Sequence, residues 1–465
     1  MRRLSLVLLA AVLVSGSAGS LAFAADGPGG KTRFPTRVSE NRRFLLDAEG
    51  KPFFYLADTA WELFHRLDAK EAEVYLKDRA AKGFTVIQAV VLAEFDGLNV
   101  PNAFGNQPLE KNDPTKPSEA YFKDVDRVVE MADGLGLVVG MLPTWGDKWN
   151  KKWGKGPEVF TPENAAIYGE FLGRRYRDKP IIWILGGDRP VESDGQRAVI
   201  RAMAAGIKKG DEGRHLITFH PSGGRTSATD FHNDDWLAFN MMQTGHAYNN
   251  ANYNKVAADY ALKPTKPCLD AEPGYEDHPS GFKAENGYLD DYDARKFAYW
   301  ALFAGACGHT YGCHDIWQFL SPAHPAITAA RTPWTKAINL PGAGQMKFAR
   351  SLIESRPILT RIPDQSLLKS DAGRGTDHVR ATRGEDGSYA FIYSASGKPF
   401  TVDLTKLSGD KIKVSWYDPR TGELKGADTL TKGGTHEFKP PTEGKGNDWV
   451  LILDDEAKGY RGPGG

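Results

Sequence analysis

The chain has 465 residues, too many for one ordinary domain, with 41% apolar and 25% charged residues, a common globular composition. Lysine plus arginine and aspartate plus glutamate stand at 59 each, so the charge balance points to neither a nucleic acid nor an anionic membrane as partner. The three cysteines, Cys268, Cys307 and Cys313, are too few for a disulfide framework and lack the CxxC spacing of zinc sites, so burial is expected for each.

At the N terminus, "MRRLSLVLLAAVLVSGSAGSLAFAADG" has two arginines, an apolar run and small residues ending Ala22-Phe23-Ala24. That order predicts a secretory signal over residues 1–24, cut after Ala24. The run is too short for a membrane span and no later stretch is longer. An exported protein, periplasmic or extracellular and free of the membrane after cleavage, is expected.

Next, "RRFLLDAEGKPFFYLADTAW" places two apolar runs about a D-A-E-G turn, which predicts a hairpin feeding a buried strand. Strand candidates then recur: "PFFYLAD" (52–58), "FTVIQAVV" (84–91), "GLVVGMLPTWG" (136–146), "IIWILGGD" (181–188), "HLITFHPSG" (215–223), "LAFNMMQTGH" (237–246), "KPCLDAEPG" (266–274) and "GHTYGCHDIW" (308–317). Helical patterns lie between most of them. "KEAEVYLKDRAAKG" (70–83) and "YFKDVDRVVEMADGLG" (121–136) are the clearest, each closed by a glycine suited to a C-cap. Eight strand–helix units predict an α/β fold, a (β/α)₈ TIM barrel over 33–363. An open doubly wound sheet is disfavoured, because no G-x-G-x-x-G follows the first strand and no Walker loop occurs. From 364 to 458 the texture turns to short strands and Gly/Asp/Ser turns, which predicts a small antiparallel β-sandwich. In it, "SWYDPRTGE" (415–423) suggests an exposed Trp-Tyr pair, although packing of the domain on the barrel is its expected role.

Such barrels carry their chemistry at the C-terminal ends of the strands. The residues expected there are Asp58, Trp61, Glu94, Trp145, Asp188, His220, Gln243, His246, Glu272, His314 and Trp317. Acids and amides bind hydroxyls and indoles bind ring faces, so the set predicts a pocket for a hydroxylated ligand. Asp188 after the fourth strand and Glu272 after the seventh would face one another across the mouth, as glycoside cleavage needs. Asp188 could instead cap the following helix, but Gly186 and Gly187 favour a functional role by leaving room for a ligand. Asp270, two residues before Glu272, should share its face and is the rival nucleophile.

"RFLLDAEGKPFFYLADTAWELFHRL", "GFTVIQAVVLAEFDGLNVPNAFG", "IIWILGGDRP", "MMQTGH" and "KPCLDAEPGYE" resemble the apiosidase-like glycoside hydrolases of family 140, and the following β-domain is similar to the collagen-binding-like module usual there. The resemblance spans roughly residues 33–455. It implies a clan A barrel, with Asp188 at the acid/base position and Glu272 at the nucleophile position. Most clan A barrels have Asn-Glu where this chain has Gly187-Asp188. It also implies release of a sugar such as apiose from a branched pectin, by double displacement. Asp58, Glu94, Gln243 and His246 would then hold hydroxyls and Trp61, Trp145 and Trp317 would wall the pocket.

Carbohydrate is the expected partner, and no cofactor or metal is expected. A non-catalytic sugar-binding protein is the alternative, opposed by the presence of both acids. A metallohydrolase built on His220, His246, His309, His314 and Asp315 lacks H-x-H or HExxH spacing, so histidines such as His220 and His314 are expected to bind hydroxyls.

Overall fold

The computed structural model describes residues 32–464, and the expected signal segment, 1–24, lies outside the described residues. The hairpin forms as expected: Leu45–Leu46 pairs antiparallel with Pro52–Phe53. Asp47 closes the turn by accepting from the Glu49 and Lys51 amides.

Eight parallel strands follow: β1 (Tyr55–Thr59), β2 (Val86–Leu92), β3 (Val138–Thr144), β4 (Ile181–Gly186), β5 (Ile217–His220), β6 (Asn240–Gln243), β7 (Cys268–Glu272) and β8 (Gly308–Tyr311). They form a curled six-stranded sheet in the order β8-β1-β2-β3-β4-β5 and a two-stranded sheet of β7 and β6. At the two seams, the Ala238 amide donates to Ile217 O (2.8 Å) and the Cys307 amide to Cys268 O (2.9 Å).

The helices between them include α1 (Ala69–Ala81), α2 (Glu119–Gly134), α3 (Pro162–Tyr176), α4 (Asp194–Gly210), α5 (Asn252–Ala261) and α6 (Asp291–Phe303). Asp68 starts α1 with a capping box shared with Glu71, satisfying amide donors that a helix start leaves open. Gly83 and Gly136, with φ of 80° and 74°, follow α1 and α2 in the left-handed conformation expected past a helix end. Between β5 and β6 the helical element shrinks to Ala228–Phe231. No described helix is long and apolar enough to cross a membrane.

Alternation along the strands builds two cores. Tyr55, Ala57, Val86, Val90, Val138, Leu142, Ile182, Ile184, Met241, Leu269 and Ala271 cluster inside the curl, where Phe44, Leu45 and Phe53 of the hairpin join them. The opposite faces pack on the helices; Leu56, Ile87, Val139, Trp183 and Cys268 belong to that layer. All three cysteines are free and buried.

The C-terminal domain starts at β9 (Arg361–Pro363), three residues before the expected boundary, because this strand pairs with β10 (Val379–Gly384). With β11 (Tyr389–Ser394), β12 (Phe400–Asp403), β13 (Lys411–Tyr417), β14 (Leu424–Thr431), β15 (Thr435–Phe438) and β16 (Trp449–Asp455), it forms two antiparallel sheets. The larger has the order β9-β10-β11-β16-β13-β14 and the smaller joins β12 to β15.

β11 shows how the larger sheet is used on both faces. Ala390 and Ile392 enter the domain's own core, while Tyr389, Phe391 and Tyr393 join the helix-layer core of the parallel-strand domain. There Tyr393 stacks on Tyr299 of α6 at 4.9 Å, and both oxygens of Asp448 accept from Nε and Nη2 of the buried Arg295 guanidinium. The expected exposed Trp-Tyr pair is not formed. Tyr417 is buried with its hydroxyl on Phe348 O, and Trp416 packs partly on the domain core.

Candidate active site

The end of β4 answers why an apolar strand finishes in Gly-Gly-Asp. Gly186, Gly187 and Asp188 have φ of 100°, 106° and 47°, three successive residues in the left-handed region. A Cβ on Gly186 would lie 2.3 Å from His220 O, and one on Gly187 would lie 2.8 Å from Gly146 N. The glycines therefore let the backbone turn against its neighbours, and the space expected for a ligand is occupied by the chain itself. Asp188 does not cap a helix: Ser193 caps α4 by accepting from the Gln196 amide. A non-glycine residue held at this φ costs about 1–3 kcal/mol, a cost concentrated at functional sites.

Arg189, fully buried, reaches Asp188 Oδ2 at 3.4 Å and Glu94 Oε1 at 3.5 Å. On the other side the Gly223 amide donates to Asp188 Oδ1 (3.3 Å). Burial and then the nearby charge of Glu272 push Asp188 up to about 6, against the pull of Arg189 and His220.

Glu272 ends β7 through a register irregularity. Asp270 pairs with Met242 and Glu272 with Gln243, so one extra residue, Ala271, stands between them. Such a bulge re-aims the side chain beyond it. Asp270 consequently takes Thr244 Oγ1 (2.7 Å) and Asn252 Nδ2 (3.0 Å) on α5, and the expected shared face with Glu272 is not formed. Glu272 Oε1 meets His246 Nε2 at 3.2 Å. Its Oε2 lies 3.2 Å from His220 Nε2, off the line of a good hydrogen bond. Burial raises Glu272, but the two imidazoles outweigh it and hold the carboxyl down at about 2. The surroundings thus push the two acids in opposite directions, so that Asp188 holds its proton to a higher pH than Glu272.

The other expected residues divide. His220 sits against Trp61 at 5.3 Å and Trp145 at 6.5 Å, which joins β1, β3 and β5 in one aromatic floor. Trp145 Nε1, His220 Nδ1, Gln243 Oε1, His246 Nδ1 and Glu272 Oε2 are all buried without a hydrogen-bond partner. Unpaired polar atoms of this kind are uncommon in a packed interior, and these belong to residues grouped around Glu272 and His220. Glu94 is pushed up to about 8 by burial and by the charges of Glu62, Asp188 and Asp147, against Arg189, so near neutrality it can donate a hydrogen bond. Trp317 packs at a tilt against Phe95, with ring centroids 5.7 Å apart, and donates to His314 Nδ1. His314 is held by the Ile327 and Thr328 carbonyls, which makes it a support for Trp317 with both ring nitrogens engaged.

Asp58 is not in the recess. Tyr55 and Ala57 point inward, so the next residue points to the helices. There Asp58 takes Tyr75 Oη and Arg79 Nε, both at 2.5 Å, with no exposure of either charge. Breaking one side of a buried ion pair costs about 3–5 kcal/mol. Asp58→Asn is therefore expected to lower the thermal midpoint by several degrees while leaving KM unchanged, measured by denaturation and steady-state kinetics.

Three residues unmarked in the sequence complete the site. Arg189 follows the acid, Tyr275 lies 4.4 Å from the His246 ring, and His278 stacks on His246 at 4.2 Å. Burial and then the Glu272 charge raise the Tyr275 phenol, which locates it beside the carboxyl. Gly312 makes room for it, since a Cβ there would lie 2.1 Å from Tyr275 Cδ1.

Residues 39–360 match the model of the apiosidase-like catalytic domain. The chain belongs to the apiosidase-like family. Residues 362–454 match a collagen-binding domain described for a collagenase. A solved structure named a glycoside hydrolase is 35% identical, with 91% of this chain and 97% of that one aligned at a TM-score of 0.84. A glycoside hydrolase family 5 structure from Bacteroides vulgatus is 34% identical over 92% and 95% of the two chains, at a TM-score of 0.85. No curated protein sequence matches the chain. Within the apiosidase-like family, and with these glycoside hydrolase neighbours, the enzyme is a glycoside hydrolase acting through its parallel-strand domain.

Proposed function

We propose that this apiosidase-like enzyme is exported and removes a terminal sugar, apiose or a related pentose or hexose, from a plant cell-wall glycan or glycoside. The catalytic domain acts as a closed (β/α)₈ barrel, a reading supported by the hydrogen bonds at both seams between its two sheets. Glu272 attacks the anomeric carbon while Asp188 passes its proton to the leaving oxygen. Asp188, now ionised, takes a proton from water, and that water displaces Glu272 from the sugar. His220 and His246 orient the nucleophile. Gln243 and Glu94 bind sugar hydroxyls, with Trp61 and Trp145 behind them. The observation that carries the reading is the pair of carboxyls in one recess, one held down by two imidazoles and the other pushed up by burial and its partner's charge.

The test is turnover of a panel of aryl pentosides and hexosides, with the first-formed anomer followed by NMR. Retention of the substrate's configuration is expected. Initial formation of the opposite anomer would replace the covalent intermediate by direct attack of water.

A further inference from the structure

The two large exposed aromatic side chains among the described residues both stand at this recess. Trp153 is 63% exposed and Phe282 is 62% exposed; the other exposed large apolar residues are Val74, Val100, Ile167 and Leu424. Phe282 lies 5.6 Å from the ring of His246, on the nucleophile's side. Trp153 covers the guanidinium of Arg189 at 4.5 Å, and Arg189 touches Asp188. The indole therefore flanks the acid.

The loop that carries Trp153 is braced before any ligand arrives. The Gly156 amide donates to Asp147 Oδ2 and the Lys151 amide to Glu158 Oε1. Asn150 donates to Pro190 O, and Lys152 pairs with Glu192 at 2.5 Å. A large indole left in water on so well-tied a loop has gained nothing from burial of its outer face. Its one face is spent on Arg189 and the other remains available.

We propose that Trp153 is the stacking platform for the leaving group, and that this leaving group is itself a sugar ring. The argument rests on Asp188 being the acid. The acid must reach the glycosidic oxygen, and the group released lies beyond that oxygen, on the acid's side. An aromatic face there suits the C–H face of a pyranose or furanose, while Glu94, partly exposed beside Arg189, is near enough to meet its hydroxyls. A methyl or other small alcohol would leave the indole uncovered. The enzyme is thus matched to a glycan or disaccharide linkage.

The experiment takes the sugar selected by the aryl panel and compares two substrates: its glycosyl fluoride, which has no leaving-group ring, and a disaccharide bearing the same sugar at its non-reducing end. Trp153→Ala is expected to lose kcat/KM roughly tenfold further on the disaccharide than on the fluoride, mainly through KM. Trp153→Phe should recover most of that difference. Equal losses on the two substrates would overturn the proposal, because they would mean that the indole acts only by holding Arg189. No loss on either would overturn it as well. Asp188→Asn separates the two readings: it should spare kcat/KM on the fluoride, whose departure needs no proton, and lower kcat/KM on the disaccharide by about 10²–10⁴-fold. If it spares both, the acid assignment fails whatever Trp153 does.

Discussion

Glu272→Gln is expected to lower kcat by about 10⁴-fold or more on every substrate, aryl glycosides included, with no loss of the folded state. The amide keeps the size of the side chain and still meets His246 and His220, so the parallel-strand domain has no new cavity to collapse around. It removes the charge that attacks the anomeric carbon. Single-turnover measurement on an aryl glycoside checks this directly. The same variant tests the interaction between the acids, since the negative charge of Glu272, after burial, holds Asp188 up. Without it, Asp188 should titrate lower, and NMR titration of its carboxyl would show this. A Glu272→Gln enzyme with wild-type turnover would remove this residue from the chemistry.

Asp188→Asn is expected to cost about 10²–10⁴-fold in kcat/KM on substrates with a sugar leaving group, and far less on an aryl glycoside whose phenolate departs without a proton. The pH profile gives the sign. Wild-type enzyme needs Asp188 protonated and Glu272 ionised. Activity on a poor leaving group should fall as pH rises through about 6, where Asp188 loses its proton, and should persist on the acid side until Glu272 gains one near about 2. In Asp188→Asn the alkaline limb should flatten. If the wild-type profile on a disaccharide stays level well above pH 6 and the variant keeps the same limb, another group supplies the proton.

Much of this site was legible along the chain because alternation in a buried strand is a local property. The apolar run of β4 and the position of Glu272 after β7 located both acids, and the glycines at 83 and 136 located two helix ends. The same alternation, carried one step further, excludes Asp58: an inward Ala57 sends it to Arg79. Asp270 was harder. Two residues apart on a regular strand means one face, and only the pairing of β7 with β6 introduces the bulge at Ala271 that sends Asp270 to α5 and Glu272 to the mouth. The Gly186-Gly187 pair suggests open space because it carries no side chains, whereas the backbone of His220 and Gly146 fills it.

What the sequence determined by itself is the eightfold rhythm of buried strands, the change to β texture near 364, and the two carboxylates at strand exits. Each follows from side-chain periodicity and turn chemistry within a few residues. What the tertiary structure decided is the company each acid keeps: His220 and His246 on Glu272, Arg189 between Asp188 and Glu94, and Trp153 over Arg189. Those contacts join residues from different strands and loops, and the carboxyls acquire opposite proton affinities only when packing removes water and brings these charges together.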